Sequence, residues 1–138
     1  MAHQIEFQTS YRFKTTQTGI TIPVTLLAHN HVVECEAKVD TGAEYCLFRR
    51  EYAEQLQLDL ASGQPVVLST LLGTFDAFGH EVTLMTLDLA FEVTVYFAAS
   101  EGIRRNLLGR NGWLNLVLLG LNAYDETLYL SPYDDLTT

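Results

Sequence analysis

Val33-Glu34-Cys35-Glu36-Ala37-Lys38-Val39-Asp40-Thr41-Gly42-Ala43 is the stretch that decides how the rest of the chain is read. Apolar and polar residues alternate up to Val39, the period of a strand with one wet face. That strand runs directly into an aspartate, a hydroxyl residue and a glycine. Such a turn holds a carboxylate at a strand end. Gly42 is expected to take backbone angles closed to other residues. Thr41 carries a hydroxyl able to bond across to whatever faces it. A carboxylate held this way suits acid–base work, but Asp-Thr-Gly alone also describes an ordinary Asx-type turn. Its meaning rests on the surrounding chain.

Upstream, Ile20, Ile22, Val24 and Leu26 alternate on a first arm that pairs with Val33–Val39 around Ala28-His29-Asn30-His31. Pro23 suggests an edge position for that arm. The His-Asn-His letters read as a polar hairpin tip rather than a metal site, since no further ligand set accompanies them. Residues 1–18 are polar. Ile5, Phe7, Tyr11 and Phe13 at odd positions suggest an extended segment pairing at a sheet edge.

Downstream, Ala43 to Phe48 reads as a short return strand and Arg49 to Leu58 as a helix, with Tyr52, Ala53 and Leu56 at helical spacing. Val66 to Thr70 is a strand. Leu71 to His80, with Gly73, Gly79, Phe75 and Phe78, reads either as a plain connecting hairpin or as a mobile flap. The alternation from Met85 to Phe97 is too long for one strand and should turn near Asp88–Ala90. Leu107-Leu108 then ends at Gly109, and Leu116–Leu121 and Thr127–Leu130 form a last hairpin. About eight short strands and one helix imply a closed or sandwich-like all-β fold.

Composition bounds the function. The chain has 138 residues, 48% hydrophobic and 18% charged, which suits one globular domain with a modest core. A net charge of −9 argues against nucleic acid as a partner. The N-terminus lacks a basic and apolar leader pattern, and no apolar run reaches membrane-spanning length, so a cytoplasmic protein without membrane association is expected. Cys35 and Cys46 have neither metal-type nor redox-type spacing. Reduced thiols are favoured for such a chain, and a disulfide stays open.

Two motifs in register carry a resemblance: apolar-Asp40-Thr41-Gly42-Ala43 and, further on, Leu107-Leu108-Gly109-Arg110-Asn111. Together they resemble the retropepsin-like aspartic proteases, the single-domain relatives of retroviral protease and pepsin. The resemblance covers roughly residues 20–133 (an extent set by these motifs and the elements between them). It implies a closed β-barrel with one or two short helices, a flap hairpin and an active site on a two-fold dimer axis. Domain limits follow as 1–18 for an N-terminal extended segment, 19–133 for the protease domain and 134–138 for a polar tail.

The implied activity is aspartic endopeptidase, with no metal and no cofactor. Hydrolysis by carboxylates needs one as base and one as acid. The chain holds a single Asp-Thr-Gly, so the resemblance implies a homodimer acting on a peptide or protein substrate, with Asp40 supplied by each copy. By motif position Asp40 is catalytic and Thr41 bonds across the axis. Gly42 and Ala43 line the substrate main chain. Arg110 packs behind the loop and pairs with a carboxylate such as Glu44 or one from the partner. Glu44, Tyr45, Leu72, Gly73, Thr74, Phe75, Leu107 and Leu108 are the implied substrate contacts.

The chain departs from the retroviral pattern at Tyr45, where an acidic residue is usual, and in a flap with few glycines whose tip could be built from Phe75 and Phe78. Two other readings stand beside the enzyme: a catalytically weak dimeric scaffold of the same fold, and an acidic barrel binding a small ligand.

Overall fold

The computed structural model describes residues 1–14, 19–70 and 73–134. Its strands are β1 (Thr9–Arg12), β2 (Thr21–Ala28), β3 (His31–Val39), β4 (Leu47–Phe48), β5 (Gln64–Thr70), β6 (Gly73–Thr86), β7 (Leu89–Ala98), β8 (Leu107–Leu108), β9 (Val117–Asn122) and β10 (Thr127–Pro132). One helix, α1 (Arg50–Gln55), follows β4, and single 3₁₀ turns span Leu60–Ser62 and Leu114–Leu116. No described helix is long and apolar enough to cross a membrane.

Six strands close into a barrel in the order β2-β3-β8-β4-β7-β6. The ring is sealed where Val24–Leu27 of β2 pairs with Thr83–Thr86 of β6. The β2–β3 turn puts His29 at φ 51° and Asn30 at φ 64°. Two left-handed residues give the turn whose twist matches flanking strands, so the His-Asn-His letters are indeed a hairpin tip. Pro23 does not mark an edge strand. It pairs opposite Glu36, one residue before the β6 contact begins at Val24, so its missing donor falls outside that ladder.

The barrel encloses Ile22, Val24 and Leu26 from β2, Leu84 from β6 and Val95 and Phe97 from β7, all nearly or wholly inaccessible. Burying each such side chain contributes roughly 1.5–3 kcal/mol. Trp113 is the largest of the fully buried side chains, and its indole Nε1 donates to Thr86 Oγ1 at 2.9 Å. That bond satisfies two groups that water cannot reach.

Several local expectations are corrected. The helix is shorter than Arg49–Leu58, because Gln57 turns left-handed at φ 58° and Leu58 N–H reaches back to Ala53 O. The return strand after the Asp turn shrinks to Leu47–Phe48. The long alternation turns at Leu87-Asp88, just before the expected place, with Leu87 at φ 53°. Phe75 and Phe78 do not build a flap tip. They lie within β6, opposite Leu68 and Pro65, and the β5–β6 ladder runs on beyond them to Thr70 opposite Gly73.

A second sheet has the order β1-β10-β9. Leu128 and Leu130 of β10 enter the barrel core. The N-terminal segment does pair at a sheet edge, as expected: Thr9 to Arg12 lie against Leu130 to Thr127 of the same chain. Phe7 then folds over this sheet. Its ring sits 5.6 Å from that of Tyr129, over Gly120, where an added Cβ would collide with it.

Candidate active site

The two-residue β8 lies between β3 and β4, the strands joined by the Asp40 loop. It runs parallel to β3, with Val39 opposite Leu108, and antiparallel to β4, with Leu47 opposite Leu107. The loop therefore straddles a third strand and is tied to it along its length. Asp40 N–H donates to Leu108 O at 3.0 Å, and Ala43 N–H to Asp40 O at 3.2 Å. Gly42 N–H donates to Asp40 Oδ1 at 3.0 Å. One carboxylate oxygen is thus held by a backbone donor, which fixes its direction.

Gly42 does not use a left-handed backbone as expected. Its small size matters instead, because a Cβ would stand 3.3 Å from Asp40 Oδ1. Asp40 is half-buried, while Thr41 and Gly42 are exposed at the loop's crest. The Thr41 hydroxyl has no partner among the described residues.

Behind the loop, Arg110 N–H donates to Ala43 O at 2.9 Å and Asn111 N–H to Glu44 O at 2.8 Å. These backbones approach so closely that only glycine fits at 109. A Cβ there would lie 2.6 Å from the Tyr45 carbonyl carbon and 2.9 Å from Ala43 O. Gly109-Arg110-Asn111 thus packs behind the Asp loop. The exposed Arg110 side chain forms no ion pair with Glu44 or with any other described residue of its own chain. Its Nε donates to Ala43 O at 3.5 Å.

A second apolar cluster stands beside the loop. Leu47, Ala77, Tyr96 and Ala98 form its buried part, with Tyr45, Val66, Leu68, Phe75 and Leu107 packed against them. Val66, Leu68, Phe75 and Ala77 are the inward face of the β5–β6 hairpin, paired Val66 to Ala77 and Leu68 to Phe75. Tyr45 and Tyr96 pack with their rings tilted by 50° and centroids 4.7 Å apart, and the adjacent Glu44 carboxylate raises the Tyr45 phenol pKa.

Three of the expected substrate contacts, Tyr45, Phe75 and Leu107, therefore share one apolar wall. Leu108 does not join them. Strand alternation turns it the other way, into the barrel core at 0% exposure. Thr74 alternates with Phe75 and lies on the outward face. Gly73 sits next to the hairpin tip at φ 126°, with open space where a Cβ would be. Leu72 lies outside the described residues. Two surface grooves run along β7, one beside Tyr45 and Tyr96 and one beside His29 and Glu81, and neither is lined by Asp40.

Reading by motif missed Asn106, Leu47 and Tyr96. Asn106 Oδ1 accepts from Arg49 N–H at 3.1 Å at the start of α1, and its Nδ2 donates to Glu36 O of β3 at 3.0 Å. It staples the strand leading to Asp40 to the helix that follows. A lone polar residue before Leu107-Leu108 carries no such signal in sequence. Tyr96 was hidden because both faces of β7 near its end are buried. Both cysteines are free. Burial pushes the Cys46 thiol up to about 12 and, with the Glu36 charge, Cys35 to about 11, so both are protonated and unreactive.

A carboxylate is thus fixed on a loop that straddles a third strand, with an apolar hairpin beside it. The aspartyl protease family model matches residues 22–112, and the chain belongs to that family. Its fold is that of the retropepsins. It is similar to a retropepsin-like aspartic protease from Rickettsia conorii, with TM-score 0.63 and 17% identity over 89% of this chain and 97% of that one. It is also similar to the EIAV protease solved in complex with the inhibitor HBY-793, with TM-score 0.53 and 17% identity over 70% of this chain and 86% of that one. No curated protein sequence matches the chain.

Proposed function

We propose that two copies of this chain form one aspartic endopeptidase site, with Asp40 of each copy meeting on a two-fold axis. The observation that carries this is Asp40 itself: held by the Gly42 amide, half-exposed at a loop crest, and followed by an exposed Thr41 hydroxyl that has no partner among the described residues. It is the chain's single Asp-Thr-Gly aspartate. Two facing carboxylates cannot both ionise, so the pair shares one proton and titrates as a unit.

The ionised carboxylate takes a proton from water as its oxygen attacks the peptide carbonyl carbon. The protonated carboxyl gives its proton to the carbonyl oxygen. Collapse of the tetrahedral intermediate breaks the C–N bond: the proton held by the first carboxylate passes to the leaving amine, and a hydroxyl of the intermediate returns its proton to the second carboxylate as the new carbonyl forms, restoring the shared proton. Thr41 bonding across the axis and Gly109–Asn111 behind the loop hold the pair in register.

The substrate is an extended polypeptide, bound by strand-like main-chain bonds beneath the β5–β6 hairpin. Apolar side chains near the scissile bond fit the wall of Tyr45, Phe75, Leu107 and Tyr96. The test is cleavage of a mixed peptide library by wild type and Asp40→Asn at several protein concentrations. Cleavage by wild type only, rising faster than linearly with concentration where monomer predominates, supports the reading. Equal cleavage by both refutes it. Silence from both, with folded dimers in sedimentation, favours a scaffold of the same fold.

A further inference from the structure

We propose that Arg105 selects substrates carrying a carboxylate side chain within two residues of the apolar one that fills the wall beside Asp40; this rests on the endopeptidase reading above. The segment between β7 and β8 runs along that wall. Ile103 packs against its buried part, and so does Leu107, four residues on. The side chains between them alternate. Asn106 reaches away, to Arg49 N–H and Glu36 O, and Leu108 turns into the barrel core. Residues 104, 106 and 108 thus share one side of an extended run, and residues 103, 105 and 107 share the other. Arg105 is exposed and stands between two wall residues.

The run is held at both ends. Ala99 N–H donates to Asp76 O at 2.9 Å, and Ala99 O accepts from Arg50 Nη1 at 2.5 Å. Gly102 N–H donates to Ser100 Oγ at 3.1 Å, which tightens the turn before Ile103. At the far end Lys38 N–H donates to Asn106 O at 2.9 Å, so the tie to β3 begins before Leu107. A guanidinium presented from such a frame needs little further ordering to meet a ligand.

Charge supplies the chemistry. Acidic residues outnumber Lys and Arg by seventeen to eight in this chain, yet Arg105 has no ion-pair partner among the described residues. The arginines at the start of α1 are committed instead, Arg49 to Glu51 and Arg50 to Glu54. Glu101 of the same segment, Asp76 beside Ala99 and Glu44 of the Asp40 loop all leave Arg105 unpaired. Its planar fork of donors matches a carboxylate through two parallel bonds. An extended substrate alternates its side chains as a strand does, so the residue two positions from the wall occupant lies on the same face, roughly 7 Å away. The net charge of −9 repels an acidic peptide at long range. A free guanidinium at the wall replaces that repulsion with selection at one position.

The probe is a peptide that the mixed library shows to be cleaved, made in matched pairs with Glu or Gln at each position up to two residues from the apolar one. At low salt and about pH 5, where a peptide glutamate is ionised, wild type should prefer one glutamate member roughly fivefold or more in kcat/KM. Arg105→Gln should bring that ratio close to one, and Arg105→Glu should move the preference to a lysine at the same position. Arg104→Gln removes the same charge from the other side of the run and should keep the wild-type ratio. Thermal melts check that each variant folds, as expected for an exposed side chain without a partner. A wild type indifferent to Glu against Gln, or Arg105→Gln with the wild-type ratio, overturns the inference and leaves the endopeptidase standing. Equal loss from Arg104→Gln and Arg105→Gln overturns it too, because the substrate then senses a diffuse field and not a contact. A folded wild type that cleaves no peptide of the library refutes the endopeptidase reading and this one with it.

Discussion

Gly109→Ala is the sharpest test of how the Asp40 loop is held. The added methyl has nowhere to go. Its position falls 2.6 Å from the Tyr45 carbonyl carbon, nearer still to the Tyr45 oxygen, and 2.9 Å from Ala43 O. All are backbone atoms, so no side-chain rotation relieves them. The β8 end and the Asp loop must separate, which lengthens Arg110 N–H to Ala43 O and Asn111 N–H to Glu44 O, now 2.9 and 2.8 Å. Overpacking costs about 1–3 kcal/mol, and each weakened bond adds roughly 0.5–1.5 kcal/mol. The expected destabilisation is about 2–6 kcal/mol, or a fall in Tm of roughly 6–24 °C for a chain of this size. Urea unfolding followed by Trp113 fluorescence measures it. Gly102→Ala is the control, since its Cβ meets only the Ser100 hydroxyl at 3.4 Å. A Gly109→Ala variant within about 0.5 kcal/mol of wild type, the range of neutral surface changes, would refute the close-approach account.

Leu107→Ala and Leu108→Ala should separate. Leu108, fully buried in the barrel, should cost about 2–5 kcal/mol. Leu107 should cost less and show instead as a raised KM for substrates with apolar side chains, in thermal melts and peptide kinetics respectively. Trp113→Phe strands the Thr86 hydroxyl in the core and should cost about 1–3 kcal/mol on that account; adding Thr86→Val should recover part of it, as a double-mutant cycle will read. The Cys46 pKa, raised by burial from 9.0 to about 12, means that its contribution to stability is complete below pH 9 and is lost as pH climbs towards 12. Wild type should therefore lose about 2 kcal/mol more than Cys46→Ala between roughly pH 8 and 10.5 in urea titrations.

Much of this architecture is legible in the sequence because it rests on local periodicity. The β2–β3 hairpin and the strand into Asp40 show period-two alternation, and the closing hairpin shows as two apolar runs around a polar turn. The two motifs carry the loop and its backing because close backbone approach demands Gly109 specifically. What escaped depends on tertiary pairing. Pro23 looked like an edge marker because sequence does not show where the β6 contact starts. Leu107 and Leu108 look alike as letters, and only the register of β8 sends one to the wall and the other to the core. Phe75 and Phe78 suggested a tip because Gly73 and Gly79 flank them in the sequence, and only the pairing of β5 with β6 shows that both lie within a strand. The Asn106 side chain acts through Arg49 N–H, Glu36 O and the Tyr52 hydroxyl, all distant in sequence, which no short motif encodes.

The central claim is one site built from two Asp40 carboxylates, and subunit mixing tests it most directly. Wild type and Asp40→Asn are combined at fixed total concentration, allowed to exchange, and assayed on a cleaved peptide. If each site needs both carboxylates, activity follows the square of the wild-type fraction, and an equal mixture retains about a quarter of the wild-type rate. Retention of about half, linear in the wild-type fraction, would mean that each chain works alone and would contradict the shared site.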